Sequence, residues 1–338
     1  GLSGGMFGTG RLLDDLIQYV YSGQGCRLML IGDTAQLPPV GEEQSPALSA
    51  DALRGYGMQV HEAHLTEVVR QMQESGILWN ATALRQYISE ENFLALPTIR
   101  TVGFPDVKVI GGDELIDLLS QSYDEVGMDE TMVICRSNKR ANIYNNGIRN
   151  RILFREEELE PGDMLMVAKN NYFWTEQSKE TDFIANGDIA VVRRFRRERE
   201  LYGFRFADVL LRFPDYNDLE LEVKLLLDTL HTDTPALPKE MGDRLYQSVM
   251  EDYADITIKR ERMKKLKADP QYNALQVKYA YAVTCHKAQG GQWKRVFLDQ
   301  GYMTEEMLSP DYFRWLYTAF TRATETLYLV NWPKEQTE

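Results

Sequence analysis

Apolar residues recur at helical spacing in "GRLLDDLIQYVYSG". Leu12, Leu13, Leu16, Ile17 and Val20 share one face there, and Gly23 marks a stop. The segment that follows, "CRLMLIG", reads as a buried strand. Helix followed by apolar strand is the βαβ grammar of a parallel sheet. Residues 40–100 read as mainly helical, with "HLTEVVRQ" as a short strand and turn. A second α/β unit starts near 101. In it "TMVICRS" is a buried strand and "NKRANIYNNGIRNRIL" a helix capped by Ser137 or Asn138. From about 160 the pattern shortens into "GDMLMVAKNNYF", "NGDIAVVRRF" and "FRFADVLLRF", strands separated by Gly, Asn and Asp, which is β-barrel-like grammar. Asn186-Gly187-Asp188 carries a turn signal.

Residues 238–268 return to helix, and "VKYAYAVTCHKAQG" resumes the α/β pattern as strand, turn and helix start. "RVFLDQ" is a further strand, and "DYFRWLYTAFTRATETLYLV" a helix leading into a final strand. The expected fold is therefore α/β with parallel sheets and an inserted, small β-barrel-like domain. The boundaries read as 1–100, then 101–160 together with 272–338, with the β-rich insertion and its helical segment over 161–271. No internal repeat or low-complexity segment is present.

Composition narrows the class. At 43% hydrophobic and 26% charged residues, the 338-residue chain fits a soluble globular protein. No window approaches the apolar length of a membrane helix, and no apolar signal core is read at the Gly- and Ser-rich start. Cys26, Cys135 and Cys285 are far apart and include no CxxC, so neither a disulfide frame nor a zinc site is read, and a cytoplasmic location is expected. A net charge of -13 argues against nucleic-acid binding by overall charge. It leaves room for a local basic groove, and two basic runs stand out. "RRFRRER" (Arg193–Arg199) has five Arg and one Glu, net +4, and "KRERMKKLK" (Lys259–Lys267) has six basic residues and one Glu, net +5. A solvated face is the other reading of each.

The candidate chemistry lies in four short stretches. "RLMLIGDTAQLPPVG" ends a strand in Gly32-Asp33 and places Gln36 before the stiff Pro38-Pro39 corner. The carboxyl edge of a parallel sheet is where α/β proteins bind ligands, and a Gln there can hold water or a phosphate oxygen. "LTEVVRQ" places Arg70 and Gln71 after a short strand. "YAVTCHKAQGGQW" places Thr284, His286, Lys287, Gln289 and Gly290 at a strand end. "YTAFTRA" puts Thr318, Thr321 and Arg322 on a helix among Trp315, Leu316, Tyr317 and Phe320, and an Arg in such apolar company calls for an anion.

These four stretches, in this order, resemble a superfamily 1 DNA helicase of the RecD-like type, the exonuclease V alpha-subunit-like branch. "GDTAQLPPV" resembles its motif III, "VVRQ" motif IV, "TCHKAQG" motif V and "YTAFTRA" motif VI. The resemblance implies two RecA-like domains of the P-loop NTPase fold, ATP and Mg²⁺ as cofactors, and 5′ to 3′ movement on single-stranded or tailed duplex DNA. Recombination or repair subunits would be its partners. It implies that Gln36 reports the γ-phosphate to the DNA groove, that Arg70 reaches that phosphate, and that Arg322 is an arginine finger. Such a finger is worth roughly 10³–10⁵ in rate in GTPases. It further implies that Gly32, Asp33, Gln289 and Gly290 lie near the nucleotide, and that Thr284, His286, Lys287 and Pro38 serve the DNA side. The motion implied is an inchworm driven by ATP binding and release.

In the insertion, Arg193, Arg194 and Phe195, and Asn171, Tyr172, Phe173 and Trp174, suit stacking plus backbone neutralisation on single-stranded DNA. A packed barrel with core aromatics is the other reading. "PDYNDLELEVK" (Pro214–Lys224) loosely fits a PD…ExK nuclease signature but alternates like an ordinary strand.

The family's phosphate loop, GxxxxGK[ST], is missing from this sequence, since "GGMFGTGRLL" lacks the Lys-Ser/Thr ending. The Asp-Glu pair that holds magnesium would fall upstream of Gly1. The expectation is a rear portion of a helicase, inactive by itself in ATP hydrolysis. The alternative is a catalytically silent nucleic-acid-binding or interaction module.

Overall fold

The computed structural model describes residues 11–66 and 74–338. The chain divides into two compact units, Gly1–Asp106 with Met303–Thr321 and Glu335–Glu338, and Val107–Tyr302 with Arg322–Lys334.

The first unit begins with α1 (Leu12–Tyr21), whose first turn carries Asp14 and Asp15, well placed for the helix dipole. The expected strand at 26–32 does not form. Met29 and Ile31 are 82% and 87% exposed, and no other strand of this unit, among the described residues, accepts its backbone hydrogen bonds. The short α2 (Ala50–Arg54) follows, and then α3 (Gly76–Ser89). Ser75 Oγ accepts from Leu78 N, and Asp106 accepts from Gly76 N and Ile77 N, so the start of α3 is fully capped. "HLTEVVRQ" is irregular over His64–Thr66, and its remainder lies outside the described residues.

The second unit holds a parallel sheet and a barrel. In chain order come β1 (Val107–Ile110), α4 (Gly112–Val126), β2 (Thr131–Cys135) and α5 (Asn138–Arg151), with Ser137 as the helix cap through Arg140 N. The barrel strands follow: β3 (Met164–Val167), β4 (Ile189–Leu201), β5 (Phe204–Phe213) and β6 (Leu219–Leu226). Helices α6 (Lys239–Asp252) and α7 (Lys259–Lys267) come next, and β7 (Leu275–Tyr279) closes the barrel. The chain then crosses into the sheet as β8 (Ala282–Thr284), α8 (Cys285–Ala288) and β9 (Trp293–Leu298). It ends with α9 (Pro310–Phe320) and β10 (Ala323–Val330).

The sheet order is β1-β10-β9-β2-β8, every pair parallel. The β2 residues Met132 to Cys135 are fully buried, as an apolar run in a parallel sheet requires. The barrel, β3-β4-β5-β6-β7, is antiparallel except at the short β6–β7 closure. Phe204, Phe206 and Leu226 of the barrel form one buried cluster with Leu245 and Val249 of α6 and Leu266 of α7.

Two boundaries differ from the sequence expectation. β7 belongs to the barrel although it lies beyond 271. The "YAYAV" run is one apolar stretch in sequence, yet it bends at Ala280–Tyr281, where Tyr281 N and Ala282 N both donate to the buried Asn145 Oδ1. The second difference is α9, which belongs to the first unit rather than with β10. Its Phe313 packs on Tyr87 and Phe93, with ring centroids 6.0 and 5.0 Å apart.

A buried joint ties α5 to the barrel. Arg149 donates from Nε and Nη2 to the two oxygens of Asp163, at 3.0 and 2.8 Å, and Tyr281 Oη donates to the same carboxylate. Among the described residues no helix is long and apolar enough to cross a membrane.

Candidate functional site

In the first unit, the loop after Gly32 is fastened to α9 and α3. Asp33 is the hub. Its Oδ1 accepts from Ala35 N at 3.0 Å and faces Arg85 at 3.3 Å, while Oδ2 accepts from Tyr317 Oη at 2.5 Å. Burial and the Asp33 hydrogen bond push the Tyr317 phenol up to about 12, so it stays a donor at neutral pH. Leu37 N donates to the buried Thr318 Oγ1 at 3.0 Å, and Arg314 Nε reaches Thr34 O at 3.4 Å. Gln36 sits half-buried in this turn with its N–H on Asp33 O. Gly32 lies close to Leu48, whose Cδ1 would be 2.6 Å from an added Cβ and would have to shift. Pro38 is half-buried at the loop exit. The loop that resembles motif III and the helix that resembles motif VI are thus one hydrogen-bonded structure. Asp33 does structural work here rather than standing open for a ligand. Arg70 and Gln71 lie outside the described residues.

In the second unit the predicted residues fall at the two edges of the sheet. Thr284 ends β8 beside Cys135 of β2, at the carboxyl edge. Its Oγ1 caps α8 by accepting from Lys287 N at 3.4 Å. Lys287 Nζ donates to Asn186 Oδ1, in the β3–β4 turn, and to Ala168 O. His286 is exposed.

The chain then returns through exposed Gln289 and Gly290 to Trp293, which starts β9 opposite Ala323 of β10, at the amino edge. Gly290 has φ +84, and Gly291 lies against the Trp293 ring, where a Cβ would come within 2.6 Å. Arg322 stands here, one residue past the α9 cap rather than inside the helix, and is 6% exposed. Its Nη1 donates to Gly291 O at 2.8 Å. The structure therefore brings Gly290, Gly291 and Arg322 together and sets them apart from Thr284 and Lys287. The one-turn α8 joins the two groups. Beside it, burial pushes the Cys285 thiol up to about 12, which makes it an inert packing group.

A residue that sequence reasoning missed is Lys278. It is 9% exposed and donates from Nζ to the carbonyls of Thr229, Thr232 and Thr234. Lys278 and Lys287 line one cleft together with Asn138, Asn145 and Thr284. Desolvation lowers both lysines, Lys278 to about 8, with the Lys287 charge adding to the effect and Asp233 opposing it. Their hydrogen-bond acceptors are neutral oxygens, and the remaining walls of this small cleft are mostly apolar, with Ala141, Val167, Ala282 and Val283 among them. A lysine inside the apolar "VKYAYAV" run was the available signal.

The barrel residues mostly do other work. The Asn171 amide is used at both ends, donating to Asn273 O and accepting from Phe173 N and Trp174 N, so it organises the loop. Trp174 Nε1 also donates to Asn273 O. Tyr172 is exposed and stacks on Phe183, with ring centroids 5.1 Å apart. Arg193 pairs with Glu220 at 3.3 Å, Arg196 with Glu222, and Arg197 with Asp208 at 2.6 Å. Three arginines of the β4 run are thereby neutralised by carboxylates on β5 and β6. Arg193 is therefore a member of an ion-pair ladder. The same pairs occupy Glu222, while Lys224 bonds Asp208, so the PD…ExK pattern is an ordinary strand.

Residues 279–330, from the end of β7 to the end of β10, match the family model described as UvrD-like helicase C-terminal domain. A comparison with curated proteins finds no match. The Pif1 helicase from Bacteroides in complex with ADP-AlF3 and ssDNA is similar over 96% of this chain and 67% of that one, at 15% identity and a TM-score of 0.46. Bacteroides Pif1 bound to ssDNA is similar over 96% and 68%, at 14% identity and a TM-score of 0.45. The Pif1 helicase from Candida albicans is similar over 90% and 64%, at 14% identity and a TM-score of 0.35. Over β8, α8, β9, α9 and β10, this chain is similar to the C-terminal domain of UvrD-like helicases.

Proposed function

We propose that this chain is the nucleic-acid-gripping and arginine-bearing portion of an ATP-dependent superfamily 1 DNA helicase, of the RecD-like type that moves 5′ to 3′ on single-stranded DNA. On this reading the first unit is the rear part of one RecA-like domain. The parallel sheet is the second such domain, and the barrel is its insertion. The observation that carries the reading is the division of labour across α8. Lys287 and Lys278 stand together at the carboxyl edge, and an arginine beside a glycine turn stands at the amino edge.

Arg322, Gln289 and Gly290, with Gln36 and Arg70, are the residues that would serve a nucleotide. The fit is partial. Gly290 is open to approach and Arg322 is poised on a carbonyl, but the sequence holds no GxxxxGK[ST] cradle. Bound ATP supplies the phosphoryl group whose transfer drives movement. The chain's own part is to place a cation where charge develops and to hold the strand. Among the described residues no group of three His, Cys, Asp or Glu side chains could hold a metal, so no step is assigned to magnesium here. Polar partners other than DNA, such as repair subunits, are part of the same proposal through the family resemblance alone.

Oligodeoxythymidine binding followed by fluorescence anisotropy tests the grip. Affinity is expected to fall with salt at roughly 0.7 log units per contacted phosphate for each log unit of salt. Lys287→Gln weakens it, and Arg322→Ala leaves it intact. In a polypeptide that also contains a phosphate loop, Arg322→Ala is expected to lower DNA-stimulated ATP turnover by roughly 10³-fold or more. Unchanged turnover would sink the arginine assignment. A second reading is a silent binding module, which binds the oligonucleotide and supports no turnover in any context.

A further inference from the structure

The chain has two basic runs, and the structure treats them oppositely. On β4 three of the five arginines, Arg193, Arg196 and Arg197, meet carboxylates across the strands. On α7, none of the ion pairs found among the described residues uses Lys259, Arg260, Lys264 or Lys265. α7 packs on the flank of the barrel through Leu266, which is fully buried, and Met263. That fixes its rotation, and the exposed positions are Lys259, Arg260, Glu261, Lys264, Lys265 and Lys267. Every one is charged, and five are cations.

Helix stability does not explain this pattern. Lys264, Lys265 and Lys267 lie in the last turn, where cations favour the helix dipole. Lys259 and Arg260 lie in the first turn, where they oppose it. Arg260 and Lys264 are four apart on one face, a like-charge spacing that weakens a helix, while Glu261 and Lys265 at the same spacing favour it. An anion outside the helix accounts for Lys259 and Arg260, which the helix dipole does not favour.

We propose that the exposed face of α7 binds the phosphate backbone of single-stranded nucleic acid, as a contact separate from the α8 cleft. Within the helix the exposed face has no apolar residue, and the single exposed Ile258 at its N-cap is too little for the apolar core that a protein interface needs. A phosphodiester backbone needs only a row of mobile point charges, which lysines supply. In a chain of net charge -13, this helix concentrates positive charge on one surface. The inference rests on the reading of the chain as a nucleic-acid binder.

The test is anisotropy with oligodeoxythymidines of increasing length across a salt series. It compares the wild type, the triple variant Lys259→Gln, Arg260→Gln, Lys264→Gln, and the control Arg196→Gln, Arg197→Gln, Arg199→Gln on β4. Glutamine keeps helix propensity, and a circular dichroism spectrum checks that each variant is folded. For long oligonucleotides the α7 variant is expected to reduce the salt slope by about 2, from three contacts at roughly 0.7 each. Short oligonucleotides, held by the cleft alone, and the β4 control keep wild-type behaviour. A wild-type slope in the α7 variant overturns this proposal and leaves the general reading standing. A wild type that binds no oligonucleotide overturns both. Polyglutamate that displaces long oligonucleotides as well as unlabelled oligonucleotide of equal charge points to an acidic protein and overturns the proposal.

Discussion

Lys278 is the residue whose chemistry reaches furthest. Its ammonium group sits among three carbonyls, with no carboxylate bonded to it among the described residues, and burial lowers it from the ordinary 10.5 to about 8. Between those two values the unfolded chain binds more protons than the folded one, so this group makes stability rise with pH across the window. On the proposed reading, its effect on nucleic-acid binding would have the opposite sign. Below about 8 the cleft carries two cations, and above it the Lys278 charge is lost. Oligonucleotide affinity at fixed ionic strength is expected to fall between about pH 7 and 9, and Lys278→Met to flatten that limb. Superimposable profiles in the two proteins would show that the cleft holds no phosphate.

At the scale of elements, α5 shows how local sequence sets structure. Ser137 accepts from Arg140 N, so Ser137→Ala is expected to lower stability by about 1 kcal/mol, read as a shift of the denaturant midpoint at constant slope. That cap was legible because capping is a matter of neighbours in sequence. The buried β2 run, the presence of barrel strands and the Asn186-Gly187-Asp188 turn were legible for the same reason, although β4 and β5 run to 13 and 10 residues rather than being short. What failed to show depends on partners distant in sequence. Nothing within "RRFRRER" says that Glu220, Glu222 and Asp208 will stand across from it. Nothing within "CRLMLIG" says whether a neighbouring strand exists to pair with it. The helical spacing of α9 is plain, but its attachment to Asp33 and Leu37 is set by Tyr317 and Thr318, more than 280 residues away by hydrogen-bond separation. Candidate site residues were found where a short motif carried them. They were missed where, as with Lys278, a single polar residue hid in a strand.

For the molecule as a whole, the second unit is two sheet systems on one foundation. Arg149 and Asp163 are both buried, and Tyr281, at the passage from β7 to β8, shares the same carboxylate. Removing Arg149 leaves the buried Asp163 carboxylate with only the more distant Arg155, at 3.7 Å, so Arg149→Ala is expected to lower stability by about 3 kcal/mol. Because the pair joins α5 to the barrel, the loss belongs to both systems. Hydrogen exchange should show β3–β7 and β2, β8 and β9 losing protection together in this variant. Protection lost in the barrel strands alone would mean that the two parts fold independently.

The short length of α8 has a mechanical meaning. Four residues, Cys285–Ala288, separate the lysine that reaches the barrel turn from the glycine turn that receives Arg322. A single turn cannot absorb a phase error. One residue inserted into it would advance the far end by about 1.5 Å and rotate it by roughly 100°. The cleft and the arginine would each survive, but they would be out of step, like two gears whose shared shaft has been cut and rejoined a quarter turn off.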